Sequence, residues 1–136
     1  MTKEIIHDVH FLSQKSTPAT SADIQAVRDL KTTFITNSNR AAGLAANMIG
    51  IHKRIIVFGL GKLPVMMINP EIIAQDTPYQ TTEGCLSLDG VRPTQRFKHI
   101  TVKFQNEQFQ WQTQDFTDLI AEIIQHEIDH CNGILI

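Results

Sequence analysis

Apolar residues recur every three or four positions in two stretches of the chain, which is the spacing of an amphipathic helix. The first stretch covers residues 23–36, with Ser21 placed to cap its start. The second follows Thr117, a candidate N-cap, and Gly133 is a stop signal beyond its end. The pattern therefore predicts one helix in the first third of the chain and one near the end. The apolar positions are Ile24, Val27, Leu30, Phe34 and Ile35 in the first helix and Leu119, Ile120, Ile123, Ile124 and Ile128 in the second.

Short apolar runs typical of strands fill the middle of the chain. Residues 54–58 and 65–68 are predicted to pair across a turn that contains glycine, and Pro70 is expected to end the second of these strands. Residues 100–104 and 108–112 predict another hairpin, joined by residues 105–107. Because strands and helices do not alternate, the order of elements favours an α+β fold over a parallel, doubly wound sheet.

Length and composition indicate one ordinary globular domain over residues 1–136. Hydrophobic residues make up 42% and charged residues 19% of the chain, and no apolar stretch approaches the ~20 residues of a membrane span. The first residues lack the basic and then apolar layout of a signal peptide, so we expect a cytoplasmic protein without a membrane partner. The formal charge is -2 and the basic residues are scattered, which argues against nucleic-acid specificity. Cys85 and Cys131 are expected to be reduced.

The second predicted helix contains the sequence H-E-x-x-H, formed by His126, Glu127 and His130. Two imidazoles four residues apart lie on one face of a helix, where both can bind a single metal ion, and the adjacent carboxylate points toward a water on that ion. The alternative is a structural or surface histidine pair. The apolar residues around the motif favour a metal site on a helix that faces the core.

A catalytic metal needs a third protein ligand, and the segment Glu83-Gly84-Cys85-Leu86-Ser87 offers Cys85. By itself, a cysteine beside a glycine is more often a small buried hydrophobic residue. Small residues also cluster at positions 41–46, where a tight turn or close packing is the simplest explanation.

Taken together, three segments resemble the signature motifs of the peptide deformylases. They are Gly43-Leu44-Ala45-Ala46 through Gly50, Glu83-Gly84-Cys85-Leu86-Ser87, and Gln125-His126-Glu127-Ile128-Asp129-His130. The second and third are complete here. The likeness also covers residues 53–57, 68–72 and 100–103, and it thins in the first forty residues.

This resemblance implies a fold in which antiparallel β-sheets surround the H-E-x-x-H helix. It implies that Cys85, His126 and His130 bind one divalent ion, for which the family typically uses Fe²⁺, with Zn²⁺, Ni²⁺ or Co²⁺ as replacements. The implied reaction removes the formyl group from the methionine of an N-formyl-methionyl polypeptide. In that reaction, Glu127 accepts a proton from the attacking water and delivers it to the leaving amine. Cys85 distinguishes this interpretation from peptidases, whose third ligand is usually histidine or glutamate.

The resemblance also assigns residues around the reacting carbonyl. A backbone N–H at Leu86 and the amide of a glutamine normally bind the developing oxyanion, and residues at the positions of Ala42 and Gly43 pair with the substrate backbone. The chain has Met48 in place of that glutamine and Ala41 in place of the first glycine of the motif. A thioether cannot donate a hydrogen bond, and losing one such donor typically costs ~10²–10³ in rate. We therefore expect weakened turnover, and we do not expect the neighbouring Asn47 to replace the donor.

Two other interpretations follow from these departures. The chain is alternatively a catalytically impaired paralogue that binds metal and peptide N-termini, or Cys85 acts as a nucleophile with a histidine base. Cys131, where the family usually has leucine, is expected to be buried, and residues 134–136 are expected to expose apolar surface. The sequence leaves open the oligomeric state, the physiological ion and a transient contact with the ribosome.

Overall fold

The structure, a computed structural model, describes residues 2–61 and 63–135. Its helices are α1 (Val9–Leu12), α2 (Ile24–Thr36) and α3 (Asp118–Cys131), and short 3₁₀ turns cover Ser21–Asp23 and Ala46–Ile49. Its strands are β1 (Gly43–Ala45), β2 (Ile55–Leu60), β3 (Leu63–Cys85), β4 (Leu88–Gln105) and β5 (Trp111–Thr117).

Within the described residues, the strands form one antiparallel sheet in the order β1-β2-β3-β4-β5. The α+β class with an antiparallel sheet against the H-E-x-x-H helix is therefore confirmed. The predicted hairpin of residues 54–58 and 65–68 is also confirmed, because Ile55 pairs with Ile68 and Val57 with Met66. No helix in the described part of the chain is long and apolar enough to cross a membrane.

Both predicted long helices form, with small differences at their ends. The 3₁₀ turn that leads into α2 is capped by Thr20, whose side chain accepts a hydrogen bond from the N–H of Ala22, so Ser21 as N-cap was wrong by one residue. Thr117 does occupy the N-cap position of α3, but its side chain makes no capping hydrogen bond. Helix α3 ends at Cys131, and Gly133 follows with a left-handed φ of 73°. The predicted stop at Gly133 is confirmed.

Two strand predictions were wrong. Pro70 does not end a strand, because β3 continues through it to Cys85. The ladder with β4 shifts register between Ile68 and Glu71, and a bulge of this kind accommodates a residue that has no N–H to donate. The predicted strand 108–112 instead starts at Trp111, since Asn106 organises residues 106–110 into a turn: its side chain accepts hydrogen bonds from two backbone N–H groups.

The core lies between the sheet and the two long helices, and it positions the face of α3 that bears the histidines. Ala121 and Ile124 of α3 are fully buried, as are Ile56 and Val57 of β2. Cys131 is 1% exposed, as predicted, and burial raises the pKa of its thiol to about 12. At the end of the described chain Ile134 is 46% exposed and Leu135 packs partly against the core, while residue 136 lies outside the described residues.

Candidate active site

Three side chains with metal-binding atoms meet where β3 ends against α3. His126 and His130 lie one turn apart on the buried face of the helix, and Cys85 is the last residue of β3. The Cys85 Sγ lies 3.2 Å from His130 Nε2, and one ligand atom from each of the three residues lies within 4.8 Å of the others. The structure thus brings together the three residues that the sequence analysis selected as metal ligands.

A buried ionic network fixes the orientation of His126. Its Nδ1 donates a 2.9 Å hydrogen bond to Glu83, which leaves the other ring nitrogen directed toward Cys85 and His130. Arg96 donates two hydrogen bonds to Glu83, of 3.0 and 2.7 Å, and its third nitrogen donates a hydrogen bond of 2.7 Å to Asp129. The Arg96 and Glu83 side chains are only 5% and 7% exposed.

This network was not predicted from the sequence. Glu83 and Asp129 lie inside the two complete motifs, so their presence there was a usable signal. No sequence signal pointed to Arg96, because it lies among polar residues on a strand that the hydrophobic pattern did not predict.

The two histidines have opposite electrostatic surroundings. Burial opposes protonation of His126, but hydrogen bonds to Cys85 and Glu83 and the nearby Glu127 carboxylate outweigh it and raise its pKa to about 10. Burial and the charge on His126 lower the pKa of His130 to about 3. For Glu83, burial opposes ionisation, yet hydrogen bonds from His126 and Arg96 lower the pKa to about 2. The surroundings thus favour a proton on His126 and disfavour one on His130.

Glu127 follows His126 and reaches the same space from α3. The residue is 4% exposed, and burial raises the pKa of its carboxyl to about 7. Among the described residues, its Oε1 has no hydrogen-bond partner. A carboxyl with a pKa near neutrality and an uncommitted oxygen suits proton transfer at physiological pH.

Strand β1 runs close to Glu127 because it starts with glycine. A Cβ on Gly43 would lie 2.9 Å from the carbonyl oxygen of Val57 and 3.1 Å from Oε2 of Glu127. The small residues at 41–46 thus allow a close approach of strand and helix, which is the packing explanation considered in the sequence analysis.

A cavity of about 260 Å³ opens beside the ligand cluster. One wall is the start of β1, a second is the end of β3 with the turn after it, and the third is α3. The predicted substrate contacts Ala42 and Gly43 and the predicted oxyanion residue Leu86 all line it. The remaining lining residues are Ala41, Thr82, Glu83, Gly84, Cys85, Leu119, Glu122, Ile123, His126 and Glu127.

Met48 is not among the residues that line this cavity. Its side chain is 1% exposed, and its sulfur lies 3.4 Å from the backbone N–H of Ala45, which donates to it. The neighbouring Asn47 also points elsewhere, because its amide donates to the carbonyl oxygens of Leu12 and His130. Neither side chain offers a donor to the cavity, as the sequence analysis expected.

The donor set fits a divalent metal ion. A thiolate and two imidazoles suit both Zn²⁺ and Fe²⁺. His126 is held by a carboxylate behind it, as metal-binding histidines usually are. Three convergent ligands rather than four leave room in the coordination sphere for a water or substrate oxygen.

The chain is similar to known proteins along nearly its whole length. The model of the polypeptide deformylase family matches residues 3–136. A peptide deformylase of Clostridium beijerinckii is 48% identical over 136 residues, which covers 100% of both chains. The crystal structure of the peptide deformylase from Thermotoga maritima superposes with a TM-score of 0.89 at 30% identity, over 99% of this chain and 95% of that one. The Met-Ala-Ser-bound structure of the class I type b peptide deformylase from Acinetobacter baumannii superposes with a TM-score of 0.87 at 25% identity, over 99% of this chain and 97% of that one.

These similarities cover the segments that carry the cysteine, both histidines and the glutamate, and they confirm the resemblance drawn from the three motifs. The chain belongs to the polypeptide deformylase family.

Proposed function

We propose that this protein removes the formyl group from the N-terminal methionine of newly made polypeptides by metal-assisted hydrolysis. One observation carries the proposal: Cys85, His126 and His130 converge beside the Glu127 carboxyl, at the edge of a cavity large enough for a side chain. Membership of the deformylase family supports the reaction, and the A. baumannii relative that binds Met-Ala-Ser supports a peptide as ligand.

Cys85, His126 and His130 would hold the ion, and the hydrogen bond to Glu83 would keep the His126 ring in the orientation that binding requires. When bound, a divalent ion polarises the formyl carbonyl and makes water acidic enough to attack it at neutral pH. We propose Fe²⁺ as the physiological ion, because the family typically uses it; the same ligands also suit Zn²⁺ and Ni²⁺.

Glu127 moves the proton. Its uncommitted Oε1 is the acceptor for a proton from water, and a carboxyl with a pKa of about 7 can return that proton to the amine that leaves. Leu86 lines the same cavity, and its backbone N–H would be the oxyanion donor. The peptide would lie along Ala42 and Gly43, at the start of the edge strand β1. Formate and a free amino terminus are the products.

The substrate also indicates where the protein works. Formylated chains emerge from ribosomes, so we place the protein in the cytoplasm, with a transient ribosome contact as its means of reaching nascent chains.

The test is formate release from formyl-Met-Ala-Ser by anaerobically purified, iron-loaded protein. Cys85→Ala and Glu127→Ala are expected to lower turnover by at least ~10²-fold, because one removes a metal ligand and the other the proton carrier. Cys131→Ala is the matched cysteine control, since Cys131 lies buried on α3 outside the cavity. Unchanged turnover in either site variant would refute the assigned roles. Activity that survives a chelator would instead favour Cys85 as a nucleophile.

A further inference from the structure

One carboxyl on the cavity wall has no part in the proposed mechanism. Glu122 lies on α3 one turn before His126 and lines the same cavity as Leu119 and Ile123. Glu83 and Glu127, the other carboxylates of the wall, are committed to the ligand His126 and to proton transfer. Glu122 therefore needs a separate explanation.

The structure holds Glu122 in place. The hydroxyl of Tyr79, on β3, donates a 3.0 Å hydrogen bond to Glu122 Oε1. Lys98 on β4 lies over the Tyr79 ring, with its Nζ 5.9 Å from the ring centre. The carboxyl is thus held against β3 by Tyr79 and by its hydrogen bond with Glu83, and it does not swing freely from the helix.

In the proposed reaction, Glu122 would lie beside the first side chain of the substrate. An α-helix rises about 1.5 Å per residue, so Glu122 stands about 6 Å along the axis from the ligand His126. Ile123, Glu122 and Leu119 form the α3 side of the cavity beyond the ligand cluster, so with the formyl group at that cluster the adjoining side chain would lie against them. A methionine-sized side chain covers that distance.

A carboxyl in this cavity changes which substrate side chains can bind there favourably. An apolar side chain that covers Glu122 removes water from it and provides no hydrogen bond in return. An amide supplies both a donor and an acceptor, so it pairs with the carboxyl whether or not that group carries a proton. Burial and the hydrogen bond with Glu83 raise the pKa of Glu122.

We propose that Glu122 is a specificity-determining residue, which broadens the pocket so that it accepts formyl peptides with an amide on the first side chain as well as those with methionine. The inference rests on the proposed function and adds the class of side chain that the pocket tolerates. Tyr79 is the residue that positions Glu122 for this contact.

The experiment compares kcat/KM for formyl-Nle-Ala-Ser and formyl-Gln-Ala-Ser, where norleucine is the apolar analogue of methionine. Each is measured with the iron-loaded parent, with Glu122→Leu and with Glu122→Gln. The ratio of the two substrates on one preparation does not depend on how much of the protein is folded or loaded. Glu122→Leu is expected to shift the ratio at least tenfold toward norleucine. Glu122→Gln is expected to stay within threefold of the parent, because its amide still hydrogen-bonds.

Two results would overturn the inference while the proposed function stands. The first is a ratio that Glu122→Leu leaves unchanged, and the second is a Glu122→Gln variant that shifts as far as Glu122→Leu. A parent that releases formate from neither these peptides nor formyl-Met-Ala-Ser would overturn the proposed function itself, and this inference with it.

Discussion

Replacing Met48 by glutamine should change stability and turnover in opposite directions. The Met48 side chain is 1% exposed and its sulfur accepts a hydrogen bond from the Ala45 N–H at 3.4 Å. A glutamine oxygen can take over that bond, but the new NH₂ group enters a site that was built for a thioether. If the buried NH₂ lacks a full set of partners, the variant should lose about 1–3 kcal/mol of unfolding free energy.

The catalytic gain depends on the same NH₂ group. With its oxygen held by Ala45, the glutamine side chain can direct its nitrogen to the oxyanion, as the family motif implies. One oxyanion donor is worth ~10²–10³ in rate, or about 3–4 kcal/mol of transition-state stabilisation. Met48→Gln should therefore raise kcat for formyl-Met-Ala-Ser by that factor while its urea midpoint falls.

Met48→Leu is the control, because it also loses the sulfur but gains no donor, and it should show no increase in kcat. Both variants are assayed for formate release with matched iron content and for unfolding in urea. A glutamine variant that is less stable and no faster would refute the reasoning. Its amide would then remain inside the protein, and Met48 would not be the residue that limits turnover.

Further predictions concern Arg96 and Glu83, which support the metal-binding residues, and the close approach of Gly43 to Glu127. Arg96→Met should lower the free energy of unfolding in urea by about 3–5 kcal/mol, because it leaves the buried Glu83 carboxylate without its guanidinium partner. Arg28→Met, on the exposed face of α2, should lower it by less than about 0.5 kcal/mol. Equal losses in the two variants would contradict this prediction. Zinc binding at pH 8, followed with a pH indicator, should release fewer protons per ion from Glu83→Gln than from the parent, because the variant keeps the hydrogen bond to Cys85 but loses the one to Glu83, and both raise the pKa of His126. Identical release would show that Glu83 does not raise that pKa. Gly43→Ala should lower turnover and should reduce the free energy of unfolding by about 1–3 kcal/mol. The added Cβ would lie 2.9 Å from the carbonyl oxygen of Val57 and 3.1 Å from Oε2 of Glu127. A variant with the kcat and the urea midpoint of the parent would refute the close packing.

The site could be predicted well from sequence because its parts are local. The spacing of His126, Glu127 and His130 places them on adjoining faces of one helix, and the apolar residues of α3 bury that face. Cys85 was a weak candidate for the third ligand until the complete motif around it was considered together with the other two motifs. Its meeting with α3 depends on the whole course of β3, which no local pattern contains.

The long hairpin of β3 and β4 was largely missed. Over residues 71–99 these strands are mostly polar and exposed, so the alternation that marks a half-buried strand is absent. Prolines at 70, 78 and 93 added signals against a strand, yet all three lie within β3 or β4. Arg96 and Tyr79, which support the site from this hairpin, were missed for the same reason.

The ligands come from distant parts of the chain, and this gives a bound ion a mechanical role as well. Cys85 ends a strand and His126 lies on a helix roughly forty residues later, so an ion that joins them closes a loop of that length. The entropic cost of holding the ends of such a loop together grows only slowly with its length, and folding has already met that cost when the ion binds. A bound ion would therefore act as a reversible cross-link between the tip of the hairpin and the helix. The melting temperature of this protein should rise with the concentration of free metal, whether or not any substrate is present.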